Sequence, residues 1–389
     1  MASYISSQAN RFYTALESSY GTVGTIHATN RIPALKLMVQ QQTEARERKD
    51  KTGSRTFAGL PPGGRRKTAF ELRTYLTTWQ KSGDPGYGPL FQAGLGGVPL
   101  RYTGGTAASS TGAGRLGFGA AHGLSVGQAV ASGGEIRFVA AIVDGSTVQL
   151  NAPFTVAPTA GGTLSATMTY RPATALPSAT IFDYWSPSNA VQRLVRGAAV
   201  DQMEILVNGD YHEVRFKGLA QDVVDSTSVS GGITQLQSFP DEPELGAFDY
   251  SIVPGNMGQA WLGTSPTQFF TMTGGSVVVK NELETRSREF GSNVPLAIVP
   301  GQRSVTAAFD LYSMDDDATK GLYQAARQQS PISVMFQLGE AEGQVMGVYL
   351  KSVIPEVPEF DDGENRLQWR FRSSRAQGTV DDEVMVALA

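Results

Sequence analysis

Apolar and polar residues alternate with a period of two through most of the chain, the signature of half-buried strands. The spacing predicts strands over Ala34–Gln41 and Thr68–Leu76. VDQMEILVNGDYHEVRFKG (200–218) predicts a hairpin turning at Asn208-Gly209, and VPEFDDGENRLQWRFRS predicts one turning at Asp362-Gly363. In GEIRFVAAIVDGSTVQLNAPF the turn falls on Asp144-Gly145, a pair suited to the positive φ of a type I′ turn. TLSATMTY, PISVMFQLG and GQVMGVYLKSV add further strands. A helical period is rare. Asp315–Gln329 has it, with Ala318, Leu322, Ala325 and Ala326 on one stripe, Ser313 or Asp315 as cap, and Ser330-Pro331 as stop. Residues 3–19 predict a short helix with Phe12 and Leu16 on one face, ending at Tyr20-Gly21-Thr22. Gly88–Gly94 predicts a short helix or turn.

One β unit occurs twice. TEARERKDKTGSRTFAGLPPGGRRKTAFELRTYL (43–76) returns in degenerate form as LETRSREFGSNVPLAIVPGQRSVTAAFDLYSM (283–314). Glu44, Arg46 and Arg48 fall on Glu284, Arg286 and Arg288, and Phe70-Glu71-Leu72 falls on Phe309-Asp310-Leu311. Each copy runs strand, charged loop, Pro-Gly turn, strand. Between them, residues 103–170 differ in composition. They open on TGGTAASSTGAG, which predicts a flexible linker, and continue as β-type sequence. The expected organisation is a mainly β chain of two tandem β-sandwich domains, each with a short helix. The first spans 1–102 and 171–225, the second spans 226–389, and 103–170 is a small all-β domain inserted into the first. The insertion is expected to be an exterior decoration, dispensable for assembly.

The 389 residues suffice for two or three cores. A formal net charge of −4 gives no global attraction to nucleic acid or an anionic membrane. The absence of cysteine excludes disulfides, thiolate metal sites and a thiol nucleophile. The N-terminal segment lacks a basic stretch followed by an apolar run, so synthesis in a cytoplasm without a standard secretion signal is expected. No stretch has the length and apolarity of a spanning helix.

Motifs that suggest chemistry fail on context. Gly112–Gly117 fits GxGxxG but lacks the strand before and helix after that a dinucleotide needs. Gly123–Gly127 fits GxSxG beside His122, yet the sequence after it is not helical. The three histidines lack metal-ligand spacing, and Asp315-Asp316-Asp317 suits a solvated helix start. Glu340/Glu342 and Asp361/Asp362 suit turns. No catalytic, cofactor or metal residue is expected, and the chain is read as a building block rather than an enzyme.

Charge is unevenly placed. Glu44 to Arg73 holds nine basic and four acidic residues, whereas Glu340 to Ala389 holds ten acidic and five basic ones. Opposite signs at opposite ends favour head-to-tail association of copies. The residues expected at such contacts are Arg46, Arg48, Lys49, Arg65 and Arg66 with Arg286 and Arg288 on one side, and Asp361, Asp362, Asp381 and Asp382 on the other.

The order of these features resembles the tail tube (major tail) proteins of long-tailed bacteriophages. The carrying segments are Tyr20-Gly21-Thr22, the charged loop before GLPPGGRRKTAFELRTYL, PLFQAGLGG (89–97) and LPSATIFDYW (176–185). RGAAVDQMEILVNGDYHEVRFKGLAQDV (196–223), PGQRSVTAAFDLYSMDDDATKGLYQAA (300–326) and the C-terminal hairpin complete the set. The piece HGLSVGQAV…VAAIVDGSTVQL is similar to small β modules of phage tails and fibres. The resemblance implies a virion structural protein, assembled in the host cytoplasm, whose stacked rings form the conduit for double-stranded DNA. It implies no cofactor and no membrane insertion. Implied partners are further copies of the chain and other tail proteins (tip, tape measure, terminator). With two such domains per chain, a pseudo-sixfold ring needs three chains; a hexamer is the alternative. An acidic or neutral bore is expected, with the basic 46–67 loop directed to a neighbouring ring. The competing expectation is a tail-tip or fibre module that contacts the host through 103–170.

Overall fold

The computed structural model describes residues 4–44, 50–56, 59, 63–79, 83–227, 229, 236–245 and 250–389. The first repeat opens with β1 (Asn10–Leu16), β2 (Arg31–Ile32), β3 (Ala34–Thr43), β4 (Arg66–Tyr75) and α1 (Gly88–Leu95). β5 (Leu100–Tyr102) leads into the insertion, which holds β6 (Gly105–Ser110), β7 (Arg115–Phe118), β8 (Ala129–Ser132), β9 (Glu135–Asp144), β10 (Thr147–Leu150), β11 (Thr163–Leu164) and β12 (Thr167–Tyr170). The chain then returns to the first repeat as β13 (Ala179–Trp185), β14 (Arg193–Val207), β15 (Glu213–Ala220) and β16 (Asp222–Asp225). The second repeat starts with β17 (Gly258–Gly263), β18 (Thr267–Gln268), β19 (Met272–Lys280), β20 (Glu284–Arg286), β21 (Ala297–Val299) and β22 (Ser304–Tyr312). It ends with α2 (Asp317–Gln328), β23 (Ile332–Leu338), β24 (Met346–Ile354), β25 (Glu359–Asp361), β26 (Gln368–Ala376) and β27 (Met385–Leu388). The fold is mainly β, in large antiparallel sheets.

The duplication extends to the pairing. The first repeat pairs in the order β1-β13-β14-β15-β4-β3, and the second in the order β17-β23-β24-β26-β22-β19. A helix follows the second long strand in each: α1 after β4 and α2 after β22. β16 lines the start of β14 as β27 lines the start of β24. The core between the layers includes Phe70, Leu72, Phe91 and Phe216 from the first repeat and Phe309, Leu311, Phe336 and Phe371 from the second. Each such side chain, fully buried, contributes about 1.5–3 kcal/mol.

Residues 3–19 do not form the expected helix. The described part holds β1, where Phe12 and Tyr13 are both buried on opposite faces and the backbone pairs with β13. An amphipathic helix would leave one of two successive residues less covered; a strand between two layers covers both. Gly21 closes this segment at φ +78, and its N–H donates to the buried carboxylate of Glu17. The α2 helix matches expectation, but its cap is Asp316, whose side chain accepts from the Thr319 N–H. Gln329 ends it in the left-handed region at φ 53.

The hairpin between β9 and β10 turns one residue later than expected, at Gly145-Ser146, and neither residue has positive φ. Asp144 explains this, because its carboxylate accepts from both the backbone N–H and the hydroxyl of Ser146. The segment expected as a linker holds strand β6, paired with β7 and β11. Its small residues allow close approach: a Cβ at Gly117 would lie 2.4 Å from Ser109 Oγ. The polar, Gly-, Ser- and Pro-bearing sequence of 225–248 suits a linker between the repeats, yet within it Leu236 and Phe239 pack on Tyr13, Phe182, Tyr184 and Leu194. Glu242 takes two hydrogen bonds from Arg11 at 2.5 and 2.6 Å.

The insertion is joined to the second repeat by a buried core. Ala129, Ile136 and Phe138 pack with Trp261, Met335, Tyr349, Met385 and Ala387. Arg137 is fully buried. It donates to Glu135 at 2.6 Å, to Gln259 at 3.0 Å and to Gln337 at 3.3 Å, and lies 4.8 Å from the Trp261 ring centre. β12 pairs with β27, so the C-terminal strand of the second repeat bridges to the stem of the insertion. No helix of the described residues is long and apolar enough to cross a membrane.

Candidate assembly surface

The two repeats meet edge to edge. The C-terminal half of β14 pairs with β19 over six residues, from Gln202–Lys280 to Val207–Gly275. The result is one continuous antiparallel sheet in the order β3-β4-β15-β14-β19-β22-β26-β25. Among the described residues β3 pairs only with β4, and β25 only with β26, so both ends of this sheet have an open edge.

Alternation gives the sheet two different faces. On one, Phe70, Leu72, Phe216, Met203, Val277, Val279, Phe309 and Phe371 are buried. The other carries charge. Glu71 takes Arg73 at 2.7 Å and Lys217 at 3.8 Å. Arg215 reaches Glu204 at 3.5 Å and Glu213 at 3.6 Å. Arg372 lies 3.6 Å from Asp310, and Arg370 pairs with Asp361. Partial desolvation pushes the Glu71 carboxyl up, but the Arg73 hydrogen bond and the Lys217, Arg73 and Arg215 charges outweigh it and hold it below the ordinary range. At the equivalent Asp310 desolvation wins over Arg372 and Arg370, and the carboxyl is raised.

Arg46, Arg48 and Lys49 lie outside the described residues. Arg65 donates to the Arg288 carbonyl at 2.9 Å, and the Arg66 N–H donates to the Asn293 carbonyl, so the two long loops touch. The Arg66 side chain also holds the buried Asp222 at 3.1 Å. Arg286 and Arg288 are exposed, with Arg286 on Glu289 at 2.7 Å. Asp361 ends β25 and Asp362 is exposed in the turn beyond it, so both sit at the open edge. Asp381 binds Arg303 at 2.6 Å, and Asp382 caps the Thr379 N–H and reaches Lys351 at 3.3 Å.

The motif residues fall in turns and strands. Both ring nitrogens of His122 are engaged, Nε2 with the Asp144 carbonyl and Nδ1 with the Leu124 N–H, so neither is directed at Ser125. Among the described residues no group of three or more His, Asp or Glu side chains is placed to hold a metal ion.

The feature of this surface that the sequence does not reveal is the β14·β19 junction. Asn281 fastens it, donating its side-chain amide at 2.9 Å to the carbonyls of both Gly94 and Val200. A buried asparagine just after VVVK is the signal that marks the position. No protein-family model and no curated protein sequence matches the chain.

Proposed function

We propose that the chain is a structural subunit that polymerises with its own copies into stacked rings, forming the tail tube of a long-tailed bacteriophage through which double-stranded DNA passes. The observation that carries this reading is the β14·β19 junction. Two copies of one unit associate side by side through strand edges, and the chain leaves the same pair of edges open at its ends. Such an interface is heterologous, and repetition through a closing rotation gives a ring. Closure also removes the open edges. With two units per chain, three chains give a pseudo-sixfold ring. The second long loop and its neighbour sit at one end of the sheet, where they suit contact between stacked rings.

Negative-stain images of the purified full-length protein test this. Rings or tubes with three protrusions of the 103–170 insertion per ring are the expected outcome. Six protrusions would replace the trimer by a hexamer, and a protein that stays monomeric at every concentration and salt tested would overturn the reading.

A further inference from the structure

Resting on the self-assembly reading, we infer that β25 of one copy pairs antiparallel with β3 of the next, in a register that sets Phe360 opposite Thr43. The internal junction supplies the template. In the first repeat Leu72 pairs with Phe216, and Phe216 pairs with Met203. In the second, Leu311 pairs with Trp369, and Trp369 pairs with Phe360. Phe360 therefore stands where Met203 stands. On the other side Val39 pairs with Phe70 as Gly275 pairs with Phe309. Four residues on, Thr43 stands where Val279 stands. Met203 pairs with Val279 inside the chain, so Phe360 meets Thr43 between chains.

Three further features point to a missing strand here. Met203 is 1% exposed and Val279 0%, whereas Phe360 is 57% exposed and Thr43 is also exposed. The buried indole Nε1 of Trp369, stacked on Phe360, has no hydrogen-bond partner among the described residues. All eight residues of α1 are buried, while α2 buries only Thr319, Leu322, Ala325 and Ala326. The open edge is also guarded against indiscriminate pairing. Where β14 is continuous, the second repeat has Pro355-Glu356-Val357-Pro358 between β24 and β25, followed by Glu359, Asp361 and Asp362. Prolines and charges on an edge disfavour wrong partners and leave a specific one permitted.

The chain has no cysteine, so paired cysteines report this contact directly. The variant Phe360→Cys with Thr43→Cys is oxidised under assembling conditions and run on a denaturing gel. Met203→Cys with Val279→Cys calibrates the same geometry within one chain. Phe360→Cys with Gln41→Cys tests a register shifted by two residues on the same face. A covalent ladder ending at a closed ring, strong for Thr43 and at least several-fold weaker for Gln41, is the expected outcome. Rings visible in images but cross-linked only in the shifted pair, or in neither while the internal control bridges, would overturn the register and leave the assembly reading standing. Absence of both rings and cross-links would overturn both. The register also places Glu359 opposite Glu44, so Glu44→Gln is expected to promote assembly at neutral pH; weaker assembly would count against it.

Discussion

Asn281 and Gly94 lie in different repeats, and the side-chain amide of Asn281 donates to the Gly94 carbonyl at 2.9 Å. The same amide nitrogen serves Val200, and the Asn281 N–H donates to the Asp201 carbonyl. Asn281 is 3% exposed, so its two acceptors have no ready access to water. Replacing it with alanine leaves two buried carbonyls short of a donor, at about 1–3 kcal/mol in total. The expected outcome for Asn281→Ala is a lower urea midpoint with an unchanged slope, and a change below about 0.5 kcal/mol would show that the junction does not depend on this residue.

His212 makes stability depend on pH. Its Nε2 donates to the Met257 carbonyl at 3.0 Å, and burial pushes its pKa below the ordinary 6.5. The unfolded chain therefore takes up a proton first as pH falls. This contribution to stability is intact above about pH 6.5 and is lost as pH falls from there through the folded-state value, at no more than about 1.4 kcal/mol per pH unit. His212→Gln keeps a donor for Met257 and cannot titrate. Unfolding free energies at pH 7.5 and 5.5 are expected to fall less for this variant than for the parent chain, and equal slopes would refute the assignment.

Local elements were legible where side chains alone decide them. Asn208-Gly209 marked a turn that the structure keeps, with Asn208 at φ 67. The stripe Ala318-Leu322-Ala325-Ala326 marked α2, and the spacing around Phe70 and Phe309 marked the duplication. What was not legible depends on partners distant in sequence. Nothing local distinguishes the half of β14 that also pairs with β19 from an ordinary hairpin arm. Arg137 reads as the polar position of an alternating strand, yet its partners Gln259 and Gln337 lie more than a hundred residues away. Gln337 was the available clue, a polar residue within PISVMFQLG whose Oε1 accepts from Ile136 N–H and whose Nε2 donates to Gly134.

The charged face of the continuous sheet is expected to pass DNA rather than hold it, if it lines the bore. Arg73, Lys217, Arg215, Arg370 and Arg372 each face a carboxylate, which lowers their capacity to displace counterions from phosphate. Co-sedimentation of duplex DNA with assembled protein is expected to be negligible at 150 mM salt. The variant Glu71→Gln leaves Arg73 and Lys217 without their carboxylate and is expected to gain binding, with a steeper salt dependence by up to about 1.8 in the log–log slope. Tight binding by the parent protein would refute the idea.

Removal of the insertion is expected to cost the second repeat its integrity, contrary to the dispensable decoration its composition suggests. Joining Thr103 to Arg171 removes β12, which pairs with β27, and uncovers Trp261, Met335, Tyr349 and Met385. It also removes Arg137, whose desolvation brings its pKa down to about 10 and whose charge Glu135 and the carbonyl groups around it satisfy. Two variants separate these contributions. Arg137→Met leaves Glu135 buried without its cation and is expected to cost about 3–5 kcal/mol, whereas Arg137→Met with Glu135→Gln is expected to recover most of that loss. The deletion is expected to yield aggregated or protease-sensitive protein, with cleavage in the second repeat. A deletion protein that is soluble, as resistant to protease as the parent and still able to form rings would show that the second repeat is stable without the insertion.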